Sequence, residues 1–321
     1  MEKPKRNFDS SLFKICCVGE PMIELSDLSG DVGVPFFNVA GDTLNTAVYL
    51  KRILGKYADI FYLTVLGKDP LSVRIQDFIV SEDISTDFIR HHPDKNCGIY
   101  VIENDSDGER TFHYWRENSA ARTLFESDND FKSLGEADII YLSGITIAIL
   151  GKRQRDRLMK WLGTEGQKKT ILFDSNFRKN LWSNLDEARH TLKAAMKEAT
   201  LCFPSKEDLS AIFGSMENLE FLQEYCKTPN EFFVVKKGGN QSPQIISGKE
   251  NSLRLKGFKK IDKVSDSTGA GDSFNAGFIG AYLMGEKLSK SLQYGHELAS
   301  KILKHKGAIC SAEEIVEFNF K

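Results

Sequence analysis

The sequence predicts an α/β protein, a single domain in which a mostly parallel central sheet is sandwiched between helices. Short β-rich runs alternate with longer helical patterns from end to end of the chain, the order that results when helices cross over between parallel strands. Most of the runs are continuously apolar rather than alternating, as strands buried on both faces must be. The 321 residues are also enough to bury a substantial core.

The predicted strands are residues 14–19, 60–66, 139–143, 170–174, 201–203 and 232–236. A helix is predicted over residues 43–54, where Leu44, Ala47, Val48, Leu50, Ile53 and Leu54 form an apolar face and Gly55 supplies the stop. Residues 98–116 break the alternation: 98–103 and 110–116 are strand-like and are joined by the turn-rich 104–108, which predicts a β-hairpin. An antiparallel excursion of this kind is a decorative insertion, a dimer edge or a lid over a site.

The 43 basic and 45 acidic residues nearly cancel to a net charge of -2, without the basic excess that phosphate-backbone binding requires. Nucleic acid is therefore excluded as the expected partner. Residues 1–11 carry three basic side chains but no apolar stretch follows them, and no apolar run is long enough to cross a membrane. The expectation is a soluble cytoplasmic protein. Cys16, Cys17, Cys97, Cys202, Cys226 and Cys310 are scattered without a C-x-x-C pair, which predicts reduced, mostly buried thiols. His91 and His92 fall in a charged loop without further ligands at metal spacing and are read as solvated.

The chemistry is concentrated in Asp266-Ser-Thr-Gly-Ala-Gly-Asp272-Ser-Phe, where a polar glycine loop runs into an apolar helical pattern over 274–283. A helix start leaves backbone N–H groups without intrahelical partners and adds the positive end of the dipole, so it favours an anion. Gly269 and Gly271 allow the main chain to approach a phosphate, and Asp272 stands beside those donors, able to take the proton of an attacking hydroxyl. On local grounds Asp272 is expected to be a weak base, since a free Asp has a pKa of about 3.9 and the helix start favours its anion further.

This segment resembles, at every position, the C-terminal signature of the ribokinase-like (PfkB) carbohydrate kinases. The resemblance implies a ribokinase-like three-layer α/β/α sandwich with a small β-sheet lid, here expected from about 27–40 and 96–118, and a homodimer formed through that lid. It implies Asp272 as catalytic base and Gly269, Ala270 and Gly271 as the anion hole. Asp266, with the loop around Gly307 and Ala308, resembles the monovalent cation site at which some members hold K+. Val39-Ala-Gly-Asp-Thr-Leu-Asn45 resembles the family's sugar-binding G-G-x-x-x-N with Ala40 for the first Gly, which implies Gly41, Asp42 and Asn45 as substrate contacts.

Val18-Gly-Glu-Pro-Met-Ile-Glu-Leu25, Gly108-Glu-Arg-Thr-Phe-His-Tyr-Trp-Arg116, Tyr141-Leu-Ser-Gly-Ile-Thr-Ile-Ala-Ile-Leu150 and Phe173-Asp-Ser-Asn-Phe-Arg178 resemble the branch acting on 2-keto-3-deoxygluconate. That likeness implies Tyr100, Tyr114 and Arg116 reaching the substrate from the lid and Arg178 from the core. Two arginines suit a sugar acid, because an Arg fork binds a carboxylate through two charge-assisted hydrogen bonds. Arg178 could equally hold ATP phosphates.

For Mg-ATP, Lys236-Lys-Gly-Gly-Asn240 and the run 253–265 resemble the family's adenine-side loops, implying nucleotide contacts at Ser205, Lys236, Gly238 and Gly239 besides Gly269 and Gly271. Phe203-Pro-Ser205-Lys-Glu-Asp208 replaces the family's N-x-x-E, so either Glu207 or Asp208 supports Mg2+ through water. Two alternatives stay open: another sugar kinase of the family, fructokinase-like in substrate, and a sugar-acid sensor without turnover.

Overall fold

The computed structural model describes residues 12–26, 36–104, 110–214, 219–228, 231–238, 241–248, 253–255, 258 and 264–315. Among these the strands are β1 (Phe13–Val18), β2 (Met22–Ser26), β3 (Phe36–Ala40), β4 (Ala58–Leu66), β5 (Ile89–His91), β6 (Gly98–Asn104), β7 (Arg110–Trp115), β8 (Ile139–Ser143), β9 (Thr170–Asp174), β10 (Leu201–Cys202), β11 (Phe232–Val235), β12 (Gln244–Ser247) and β13 (Leu253–Arg254). Nine of them form one sheet in the order β13-β12-β11-β10-β9-β8-β1-β4-β5. It is parallel from β11 to β5, with β12 and β13 as an antiparallel edge.

Each central strand serves two cores. Ile15 and Cys17 of β1 belong to one apolar cluster, with residues of helices Asp42–Leu54, Pro70–Ser81, Ala270–Leu283 and Leu288–Ile302. Cys16 and Val18 belong to the other, with helices Asp128–Glu136, Lys152–Leu162, Leu185–Glu198 and Lys206–Phe213. Burial on both faces is why these strands read as continuous apolar runs, and the result is the expected three-layer α/β/α sandwich. The chain winds outward one way from β1 and the other way from β8, so the order reverses between them, and it is beyond the C-terminal strand ends at such a point that open α/β sheets carry their crevice.

The second sheet has the order β3-β2-β6-β7. Its hairpin β6–β7 pairs as expected, with Tyr100 opposite Tyr114. The sheet also takes in β2, which lies outside the spans expected for the lid, and β2 runs parallel to β6. Residues 27–35 and the expected turn within 104–108 fall largely outside the described residues. This sheet follows β1 after a three-residue step, Gly19, Glu20 and Pro21, and is pinned there by an ion pair between Glu20 and Arg116 at the end of β7. Met22, Ala40, Tyr100 and Ile102 pack on Ala308 and Ile309. Phe112 and Tyr114 are exposed on the face that carries Tyr100 and Ile102, and Trp115 on the opposite face, with Ile99.

Helix Asp42–Leu54 begins one residue before its expected start and ends at Gly55, whose φ of 51° is the left-handed stop expected of glycine. No described helix is long and apolar enough to cross a membrane. The six cysteines are free, five of them buried. His91 is exposed and bonds Gln76, and His92 Nδ1 accepts the amides of Asp94 and Lys95.

Candidate active site

The helix expected to have Asp272 at its start begins at Ala270, because Gly269 caps it at φ 74° and places Ala270, Gly271 and Asp272 on the first turn. A side chain at 269 would drive a Cβ to 2.6 Å from the carbonyl oxygen of Ala308. Gly271 is exposed, and a Cβ there would meet only the ammonium of Lys236, 3.6 Å away. The amides of this turn are thus open to an anion, although that of Ala270 also closes on Ser267 O at 3.3 Å.

Asp272 sits half-buried at the floor of the crevice, its Oδ2 accepting from Asn45 Nδ2 at 2.8 Å. Asn45 is itself oriented by the Gly41 amide, 3.3 Å from its Oδ1. Thr46 Oγ1 donates to the Asp272 carbonyl, tying helix Asp42–Leu54 to the Gly269–Asp272 turn. The expectation of a weakly basic Asp272 is overturned. Desolvation first, and then the charges of Asp42 and Asp174, push its pKa up to about 8 against the opposing effects of Asn45 and Lys236. The local argument counted the helix dipole, but burial among like charges outweighs it. Tyr141 from β8 and Tyr100 from the small sheet also feel the Asp272 charge.

Two further carboxylates line the same space. Asp42 Oδ2 accepts from Ser143 Oγ at 2.5 Å and from Asn176 Nδ2 at 2.8 Å. Asp174, at the end of β9, accepts from Lys236 Nζ at 2.8 Å and from Asn275 Nδ2 at 2.7 Å. Asp174, Asn176, Ser143 and Asn275 were not singled out from the sequence, although the first two lie in the Phe173–Arg178 motif. Their signal was spatial: β8 and β9 end side by side, with Ser143 opposite Asp174, and helix Ala270–Leu283 brings Asn275 onto Asp174.

Arg178 is exposed and held locally, its Nη1 donating to Phe177 O at 3.1 Å. Burial raises the pKa of the Tyr114 phenol, against the nearby charges of Arg116 and Arg178. Arg116 is not the free fork expected: it is 5% exposed and paired with Glu20, with its Nε lacking any hydrogen-bond partner among the described residues. Tyr100 is also turned inward, donating its hydroxyl to Glu24.

Ser205 and Asp208 form a capping box on helix Lys206–Phe213. Asp208 also accepts from Ser175 Oγ at 2.6 Å and from the Phe177 amide at 3.3 Å, so it braces the Asp174–Arg178 segment from below. Glu207 is exposed beside Gly238 in a surface cavity of about 180 Å³ that Lys206, Ser210 and Gln241 also line. Gly239 lies outside the described residues, as does much of 253–265. Asp266 is buried, its carboxylate accepting the amides of Thr268 and Gly307 at 2.7 Å each. No group of three or more His, Cys, Asp or Glu is disposed to hold a metal ion among the described residues.

The chain as a whole is similar to known proteins. Residues 12–315 match the profile described as pfkB family carbohydrate kinase. A 2-dehydro-3-deoxygluconokinase of Dickeya dadantii is 36% identical over 305 residues, covering 93% of this chain and 97% of the relative. The crystal structure of a 2-dehydro-3-deoxygluconokinase from Thermotoga maritima superposes with a TM-score of 0.76 at 22% identity, covering 94% of this chain and 98% of the other. That of a Vibrio cholerae fructokinase with fructose, ADP and calcium ion bound gives 0.78 at 19% identity, covering 94% and 96%. The extent of the profile match and the identity to the Dickeya protein place this chain in the pfkB family of carbohydrate kinases.

Proposed function

We propose that this enzyme transfers the γ-phosphoryl group of Mg-ATP to the terminal primary hydroxyl of 2-keto-3-deoxy-D-gluconate, giving the 6-phosphate. The observation that carries the chemistry is the placement of Asp272: a carboxylate of raised pKa, held by Asn45, on the first turn of a helix whose glycine-capped amides are open to an anion. As the hydroxyl oxygen bonds to phosphorus its proton passes to Asp272, and the bond between the γ-phosphorus and the bridging oxygen breaks with its electrons leaving on ADP. The amides from Gly269 to Gly271 stabilise charge on the group in transit.

Arg178 and Tyr114 are the groups proposed for the sugar carboxylate, with Asn45, Asp42 and Gly41 on the hydroxyls. Arg116 and Tyr100 act from behind, anchored on Glu20 and Glu24. Ser205, Lys236 and Gly238 are proposed for the nucleotide side, as is Gly239 outside the described residues, and Asp208 or Glu207 would support a magnesium ion through water. Asp266 orders the Gly307 loop at which a monovalent ion such as K+ would bind. The small sheet serves as a lid that excludes water when closed, and its other face, where Trp115 is exposed, is the proposed homodimer contact.

A coupled ADP-release assay offering 2-keto-3-deoxygluconate, gluconate, fructose and ribose tests this. Preferential turnover of the keto-deoxy acid is expected. Preference for fructose would favour a neutral-sugar kinase, a reading that the sequestration of Arg116 by Glu20 supports. Binding without turnover of any of the four would favour a sensor.

The raised pKa of Asp272 has opposite consequences for activity and stability. Only the carboxylate accepts a proton, so kcat/KM should fall as pH drops below about 8. The folded state holds this proton up to about pH 8, whereas the unfolded chain releases it near 4, so Asp272 makes folding less favourable as pH rises between those values. The urea midpoint of the unaltered protein should therefore decline relative to that of Asp272→Asn between pH 5 and pH 8.5, and parallel midpoints would contradict the assignment.

A further inference from the structure

We propose that Lys236 is a catalytic residue whose ammonium stabilises the phosphoryl group during transfer, and that Asp174, steadied by Asn275, is the positioning residue that holds it there. The inference rests on the kinase reading above and changes the part given to Lys236 from nucleotide anchor to transition-state partner.

The backbone of Lys236 is fixed. Its N–H donates to Pro204 O at 2.8 Å, its carbonyl accepts from Lys206 N at 2.9 Å, and it forms a β-bridge with Ser205 beyond the end of β11. From there the side chain runs to the crevice floor rather than toward the adenine-side loops. Nζ meets Asp174 Oδ2 at 2.8 Å and stands 3.6 Å from where a Cβ of Gly271 would be. The ammonium thus lies against the second residue of the catalytic helix, where the amides expected to receive the phosphoryl oxygens begin.

Asp174 is not an independent partner of Lys236. The same Oδ2 accepts from Asn275 Nδ2 at 2.7 Å, and that amide group also donates to Tyr141 OH at 2.9 Å. Asn275 lies one turn along the helix from Gly271, so the helix that presents the amides also locks the carboxylate that aims the lysine. An ion pair this enclosed, with side chains 16% and 3% exposed, is weak grounds for stability, because desolvation offsets the attraction. It does suit function. An ammonium has three donors, one is used by Asp174, and a lysine acts on phosphate as a compact point charge. Lys236 gains and loses no proton in the step: the hydroxyl proton goes to Asp272 and the electron pair of the broken P–O bond goes to ADP.

Steady-state kinetics of the unaltered enzyme, Lys236→Met, Lys236→Arg, Asp174→Asn and the double variant K236M/D174N test this, with ADP affinity measured by calorimetry. K236M should lower kcat about 10²- to 10³-fold, as loss of one transition-state donor does, while KM for ATP and the Kd for ADP move less than about threefold. Lys236→Arg keeps the charge and should stay within about tenfold of the unaltered kcat. D174N should lower kcat in the parent but add nothing to K236M, the non-additivity of residues acting through one another. The acid limb of the pH profile should rise in K236M and fall in D174N, since the two charges act on Asp272 in opposite senses.

An unchanged kcat in K236M with a raised KM for ATP would return Lys236 to a nucleotide anchor. Equal losses in the Arg and Met variants, or a full additional loss from D174N in the double variant, would overturn the proposal. No turnover by the unaltered protein would overturn the kinase reading together with this one, which separates the two failures.

Discussion

Asp272→Asn is expected to lower kcat about 10²- to 10⁴-fold, the range a positioned general base contributes. The substitution is nearly isosteric and leaves the catalytic turn capped by Gly269. An amide oxygen can still accept from Asn45, so the local geometry should persist, whereas the proton acceptor is gone. KM for the sugar acid should change little, because the contacts proposed to Arg178, Tyr114 and Asn45 remain. Residual turnover would report what positioning and the helix amides supply alone. The acid limb of the pH profile should vanish with the carboxylate. A variant retaining a tenth or more of the activity would show that the hydroxyl proton leaves by another route.

Arg116→Ala should destabilise the fold by about 3–5 kcal/mol, as breaking a buried ion pair does when one charge is left behind. The charge left would be Glu20, 2% exposed, with Oε1 already unpartnered among the described residues. Urea denaturation measures the loss. The pair replacement Glu20→Leu with Arg116→Met should recover much of it, since apolar residues of similar volume often match or exceed a buried pair. The same double variant separates the two roles considered for Arg116. If the guanidinium only anchors the small sheet, KM for the keto-deoxy acid will survive in the repacked protein; if it contacts the carboxylate, KM will rise although stability has returned.

What could be read from the residues depended on how local the determinant was. The central strands were legible because each is a short apolar run buried on two sides, and the predictions for 139–143 and 170–174 coincide with β8 and β9. β2 was not, because Met-Ile-Glu-Leu-Ser carries Glu24 in its middle, a carboxylate made tolerable in a buried place by Tyr100 and Asn38 from neighbouring strands. The edge strands β12 and β13 were short and lay in a stretch without clear periodicity. The glycine-capped turn of the candidate site was legible as a contiguous string from Asp266 to Asp272. Its basicity was not, since Asp42 and Asp174 stand 230 and 98 residues away in sequence. For the same reason Lys236 and Asp174 look unrelated until parallel pairing through β10 sets their ends side by side.

The contact beneath Gly269 bears on how the enzyme comes into being during synthesis. Ala308 fills the space a Cβ at 269 would need, Gly307 is bonded to Asp266, and Tyr49 grips the carbonyl of Ala308 and the amide of Cys310. Every residue proposed for catalysis precedes that segment. A nascent chain still on the ribosome before residue 307 would carry the complete set of reacting groups without the keystone that shapes their turn. Phosphoryl transfer would then begin only when the last helix and the loop after it had docked, so a half-made chain would spend no ATP.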